Sequence, residues 1–185
     1  MQNKATMICA VLLIGGCATQ MKSQEFITTT GKAVTATQQV ERLELANVVG
    51  ILPGKSRPNE YVIFSGHYDH LGIGKAVQGD SIYNGANDDA SGVTGVLALA
   101  EYFKKVGNER TLVFVAFTAE EMGLIGSTHF GKGIDANKFV AGINLEMIGK
   151  VPSFGPNTAW LTGFERSDFG KIIQRNLKGT GYQLF

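Results

Sequence analysis

At 185 residues, 44% of them hydrophobic, the chain is long enough to bury one substantial core. Lys and Arg number 17 against 16 Asp and Glu, interspersed to a net charge of +1, so neither a basic nucleic-acid-binding stripe nor an acidic solvated tail is present. Glycine is abundant (24) and proline scarce (4), which favours tight turns between regular elements over a proline-rich disordered chain.

Residues 1–17 read as an export leader. Lys4 gives a small positive start, and Met7 to Ile14 is an apolar run too short to span a bilayer. The run closes on Ile14-Gly15-Gly16-Cys17, which resembles a bacterial lipoprotein signal with Cys17 as the lipidated residue. An ordinary cleaved secretory leader is the alternative. Either sends the protein out of the cytoplasm, as a periplasmic or outer-membrane lipoprotein or a secreted protein, with membrane contact only through a lipid at Cys17. Both cysteines, Cys9 and Cys17, lie here, so the remainder has no disulfide and no thiolate ligand.

Residues 18–45 are polar and weakly patterned and read as a linker. The folded region is expected over 46–185. Asn47 to Leu52 is a short β-rich run closed by Pro53-Gly54, and Tyr61 to Gly66 is an apolar run of the kind buried on both sheet faces. A glycine-rich loop follows. Ala90 to Val106 reads as a helix, with Val93, Val96, Leu97, Ala100 and Phe103 at helical spacing, Asp88, Asp89 or Ser91 as N-cap, and Gly107 as its stop. Thr111 to Thr118 is a second buried strand, Gly123 to Gly133 a short helix, and Phe139 to Met147 a third strand. Asn157 to Thr162 suggests another strand, Asp168 to Leu177 a last helix, and Gly181 to Phe185 the start of a strand. This alternation predicts a three-layer α/β sandwich with a mostly parallel twisted sheet, in which ligands bind beyond the carboxyl ends of the strands.

The polar motifs fall at those ends. The first buried strand runs into His67-Tyr68-Asp69-His70, the second into Glu120-Glu121, and the third carries Asn144-Leu145-Glu146; Asn87-Asp88-Asp89 precedes the long helix. Singly, each has an ordinary explanation: a structural His, a surface Glu pair, a helix cap. Jointly they gather a His and several carboxylates on one edge, with no cationic side chain in the motifs to neutralise them. One imidazole with oxygen ligands is a set that zinc accepts, and a bridging carboxylate such as Asp88 suits a pair of ions.

The motifs HYDHLG, GANDDASG, AEEMGLIGS and NLEMIG, in this order and spacing over residues 46–150, resemble the M28 zinc aminopeptidases. The resemblance implies a zinc-exopeptidase fold and a hydrolase that removes N-terminal residues from peptide substrates. It implies that His67 binds one zinc, Asp88 bridges two, and Glu121 binds the second. Glu120 is then the general base that moves a proton from water to the leaving amine, and the Asp69 carboxylate holds the other ring nitrogen of His67. Glu146 stands where many members have Asp and is expected to bind the first zinc. His70 reads as a loop-side or supporting residue, His129 as structural, and Asp89 as the helix cap.

The family's last ligand is a His well beyond the NLEMIG-like motif, and none follows His129 in this sequence. The expectation is therefore a C-terminally incomplete domain whose second zinc position keeps only Asp88 and Glu121. Two alternatives accompany it: a single-zinc acyl transferase of glutaminyl-cyclase type, and an inactive lipoprotein fragment.

Overall fold

The computed structural model describes residues 44–185, together with the backbone of three short strands, β1 (Ile8–Ala10), β2 (Phe26–Ile27) and β3 (Ala33–Val34). Apart from those strands, the leader, Cys17 and the polar linker lie outside the described residues. The elements that follow are β4 (Val48–Leu52), β5 (Arg57–His67), β6 (Gly72–Val77), β7 (Asp80–Tyr83), α1 (Ala90–Val106), β8 (Arg110–Phe117), α2 (Ile125–Gly133), β9 (Phe139–Asn144), β10 (Thr158–Ala159), α3 (Phe169–Asn176) and β11 (Gln183–Leu184).

The main sheet runs β1-β4-β8-β5-β9. Strands β8, β5 and β9 are mutually parallel, and β4 and β1 add antiparallel pairs on one side. The carboxyl ends of β5, β8 and β9 therefore share one edge. Side chains alternate across β8: Leu112 and Phe114 join Leu52, Phe64 and Val96 of α1 on one face. Val113, Val115 and Phe117 face the other way, packed with Phe130 of α2 and with Phe139 and Ile63. Helix, sheet and helix make the three expected layers, and β8, apolar on both faces, is their centre.

Helix α1 has the bounds that its sequence predicts. Asp89 caps it, accepting from Gly92 N–H, and Gly107 ends it at φ +86°, a left-handed value that favours glycine. Its buried stripe is Val96, Leu99, Ala100 and Phe103; Leu97, expected on that stripe, is 65% exposed.

The stretch expected to be a plain glycine-rich loop contains the antiparallel hairpin β6–β7, turned by Gln78 and Gly79, both with φ above zero. The third strand ends at Asn144 instead of Met147, because Met147 takes φ +51° and turns the chain. The strand expected over Asn157–Thr162 is only the two-residue β10, paired in parallel with β11. Among the described residues no helix is long and apolar enough to cross a membrane.

Candidate metal centre and active site

His67 ends β5, the strand flanked on both sides by parallel neighbours, and its side chain is buried. Nδ1 lies 3.0 Å from the backbone carbonyl of Asp69. A carbonyl only accepts, so Nδ1 carries the proton in the neutral ring and Nε2 presents its lone pair to the site. The Asp69 carboxylate is 3.7 Å from Nδ1. It is occupied elsewhere: Oδ1 accepts from Glu120 N–H at 3.0 Å and Oδ2 from Glu121 N–H at 3.2 Å. The expected carboxylate–imidazole contact is thus made by the Asp69 carbonyl, while its carboxylate fixes the backbone of the glutamate pair.

That backbone leaves strand geometry as soon as β8 ends. Ala119, 2% exposed, takes φ +51°, and Gly123 and Leu124 N–H both return to the Glu120 carbonyl. Asn47 bonds Thr118 N–H and the Gly126 carbonyl, tying this corner to the chain that enters β4. The turn lets two adjacent glutamates project in different directions.

Asp89 does more than cap α1. It is 1% exposed, and besides Gly92 N–H (3.0 Å) it accepts from His67 N–H (3.1 Å) and Met147 N–H (3.1 Å). One carboxylate thereby joins the end of β5, the start of α1 and the loop that carries Glu146. Gly92 makes this possible, since a Cβ there would collide with the Leu145 carbonyl and the Asp89 carboxylate. The Asp88–Asp89 peptide is cis.

Around His67 Nε2 stand Asp88 Oδ1 at 2.9 Å, Glu146 Oε1 at 3.4 Å and Glu120 Oε2 at 3.9 Å. His67, Asp88 and Glu146 form one group of donors and His70, Asp88 and Glu121 another, each with its atoms within 4.8 Å of one another. Glu120 belongs to neither. The second group departs from the expectation: His70, read from sequence as a supporting residue, has Nδ1 2.7 Å from Glu121 Oε1 and 3.9 Å from Asp88 Oδ2. Its signal was a second His three residues after the first at a strand end, too common a pattern to read alone. His129 lies half-buried in α2, in neither group.

Among the described residues, no Lys or Arg comes within 4.0 Å of Asp88, Glu120, Glu121 or Glu146. Four carboxylates and two imidazoles without a cationic partner suit a bound cation. Ligands of one tetrahedral zinc at 2.0–2.1 Å stand about 3.3 Å apart, and the 2.9 and 3.4 Å separations from His67 straddle that value. Nitrogen with carboxylate oxygen is a zinc-compatible set, so the residues fit the ion.

The electrostatics record the same crowding. Burial lowers the His67 pKa, but Glu146, the Asp69 carbonyl, Glu120 and Asp89 outweigh it and hold the imidazole above its ordinary value. Glu146 is pushed up by burial and by the charges of Asp89 and Asp88, only partly relieved by His67.

A sequence profile described as Peptidase family M28 matches residues 47–181. A probable zinc metalloprotease of Pyrenophora teres f. teres is 39% identical over 111 residues, 58% of this chain and 23% of that protein. Aminopeptidase YwaD of Bacillus subtilis is 30% identical over 107 residues, 56% of this chain and 22% of that protein. Among solved structures, the zinc aminopeptidase BSAP from Bacillus subtilis superposes with a TM-score of 0.59 at 26% identity, covering 75% of this chain and 34% of that one. The chain spans about a quarter of the length of these curated relatives.

Proposed function

The chain belongs to peptidase family M28, and on that premise we propose that it hydrolyses peptide bonds with zinc, removing residues from the N-terminus of peptides. The observation that carries this reading is the relation of Glu120 to the donor groups. Its Oε2 is 3.9 Å from His67 Nε2, beside the donors yet outside both groups. A carboxylate so placed is free to handle protons while its neighbours hold the metal.

His67, Asp88 and Glu146 would hold zinc. When bound, zinc supplies a Lewis acid that makes water a better nucleophile near neutral pH and polarises the scissile carbonyl. The protein's own groups do the rest. Glu120 Oε2 accepts the proton of the attacking water and delivers it to the leaving amine nitrogen, ending unprotonated for the next cycle. Asp69 keeps Glu120 on station through its backbone N–H. The Asp69 carbonyl keeps the lone pair of His67 Nε2 turned inward. Removal of N-terminal residues in particular rests on the relatives named aminopeptidases.

The test is hydrolysis of an aminoacyl-anilide by the zinc-loaded chain beside Glu120→Gln, with zinc content measured on both. Glu120→Gln should keep its zinc and lose about 10²–10⁴-fold in kcat. Equal rates would overturn the assignment of the base. An N-acetylated substrate should be refused, and its cleavage at a similar rate would sink the exopeptidase part.

A further inference from the structure

We propose that Asn144 is a positioning residue: its amide, oriented by Ser65, holds the Glu146 carboxylate with one oxygen turned to His67. The inference rests on the zinc-peptidase reading above and deepens it at two residues to which the reaction gives no part.

Strand periodicity sets the arrangement. Ser65 and Asn144 are partners across the parallel pair β5–β9, and each lies two residues before a donor, His67 and Glu146 respectively. Side chains two apart on a strand share a face, so Ser65 and Asn144 form a row directly beneath that of His67 and Glu146. The ladder runs one residue beyond β9, because Leu145 N–H donates to the Ser65 carbonyl at 2.8 Å. Two further bonds pin the backbone past Glu146. Met147 N–H donates to Asp89, and Gly149 N–H donates to Asn87 Oδ1 at 2.9 Å.

These bonds fix where the Glu146 side chain starts, not where it ends. Three torsions separate its Cα from its oxygens, and among the described residues no backbone N–H donates to them. Asn144 supplies the missing restraint. Ser65 Oγ donates to Asn144 Oδ1 at 2.8 Å, and Asn144 Nδ2 lies 3.4 Å from Glu146 Oε2. Turned the other way, the amide would donate to Ser65 but set its own oxygen against Oε2, acceptor to acceptor. Ser65 is 7% exposed, so little water competes for its hydroxyl. With Oε2 engaged, Oε1 faces His67 Nε2 at 3.4 Å. Nε2 carries no proton, so the two atoms are both acceptors, directed at a common cation. Asn144 thus does for Glu146 what the Asp69 carbonyl does for His67: it occupies one atom and leaves the other for the metal.

Zinc titration of the full chain at buffered free-zinc concentrations tests this without reference to activity. The His67 Nε2 ¹⁵N resonance is the readout, so that only the ion at this imidazole counts. Asn144→Leu, similar in size but with no donor, should weaken that ion by about 10–100-fold. In a Glu146→Ala background the same change should add less than about twofold, since the group it positions is gone. Equal losses in both backgrounds would mean that Asn144 acts through the fold and would overturn the proposal. So would wild-type affinity in Asn144→Leu, although the zinc-peptidase reading would then survive. If wild type binds no zinc, both fall. Should Asn144→Leu not fold, Ser65→Ala decides the matter: freed to turn over, the amide should hold Glu146 less well and weaken the ion by about 2–10-fold. Unchanged affinity in Ser65→Ala would then sink the proposal.

Discussion

Replacing Asp89 by Ala should cost more stability than any other single change at the site, although Asp89 offers no atom to the donor groups. The carboxylate is 1% exposed and accepts from three backbone N–H groups, those of His67, Gly92 and Met147. Loss of the cap at Gly92 costs about 1 kcal/mol. Each of the other two buried donors left unpaired costs about 1–3 kcal/mol. The sum is roughly 3–7 kcal/mol, and a water entering the vacated space recovers part of it, so about 3–5 kcal/mol is expected. Relief of repulsion is a smaller opposing effect, because the Asp89 charge is one of the causes raising Glu146. Against a typical stability of about 5–15 kcal/mol this is a large fraction. The assay is urea unfolding of wild type and Asp89→Ala with excess chelator, so that metal linkage does not enter. With m near 2 kcal/mol/M the midpoint should drop by about 1.5–2.5 M. A loss below about 1 kcal/mol would refute the reasoning, since the three N–H groups would then have found other partners.

Asp69→Asn replaces one acceptor of the Glu120 and Glu121 N–H pair by a donor. It should lower kcat by about 10–100-fold with little change in KM, and unaltered kcat would show that the glutamates hold their positions without it. Gly92→Ala drives a methyl against the Leu145 carbonyl and the Asp89 carboxylate; a thermal melt should register a loss of at least about 1–3 kcal/mol, and a wild-type Tm would contradict the packing. For the chelated protein, His67 and Glu146 both have folded pKa values above their ordinary 6.5 and 4.5. The folded state therefore binds these protons more tightly. Their contribution is full below those ordinary values and is lost as pH rises through the folded ones, so His67→Gln should flatten a fall in stability above about pH 6.5. With zinc bound the trend reverses, because protons compete with the metal for the same atoms. An unchanged pH slope in the chelated His67→Gln variant argues against the charge cluster.

The central sheet and α1 were readable because their burial imposes a pattern. Strand β8 is apolar at nearly every position since both faces are covered, and α1 repeats at helical spacing between a capping Asp and a stopping Gly. Leu97 and Leu99 differ by only two positions on an apolar helix, and nothing local says which meets the sheet; packing against the core cluster that contains Phe64 and Leu112 selects Leu99. Hairpin β6–β7 escaped notice for the opposite reason. Every residue of β6 is exposed, so no face of it had to be apolar, and glycines at 72 and 74 hide its strand character. The centre followed the same rule. Motifs at strand ends could be placed on one edge from topology alone, whereas the position of His70 depends on how the loop through Gly85 closes over it.

Composition could count the acidic residues of the centre but not sort them, and hydrogen bonding does. Asp69 accepts two backbone N–H groups and Asp89 accepts three, so their lone pairs are spent on the fold. Among the described residues, no backbone N–H donates to Asp88, Glu120, Glu121 or Glu146, and these are the four that face His67 and His70. Asp88 and Asp89 are adjacent and identical in the sequence, yet one faces both imidazoles while the other is 1% exposed among amides. A carboxylate saturated by N–H donors is a poor ligand and a poor base, because binding a cation or a proton would forfeit those bonds. One left unsatisfied among like charges gains from either. The division of labour between structural and reactive carboxylates is thus set by which backbone amides the turns direct at each one.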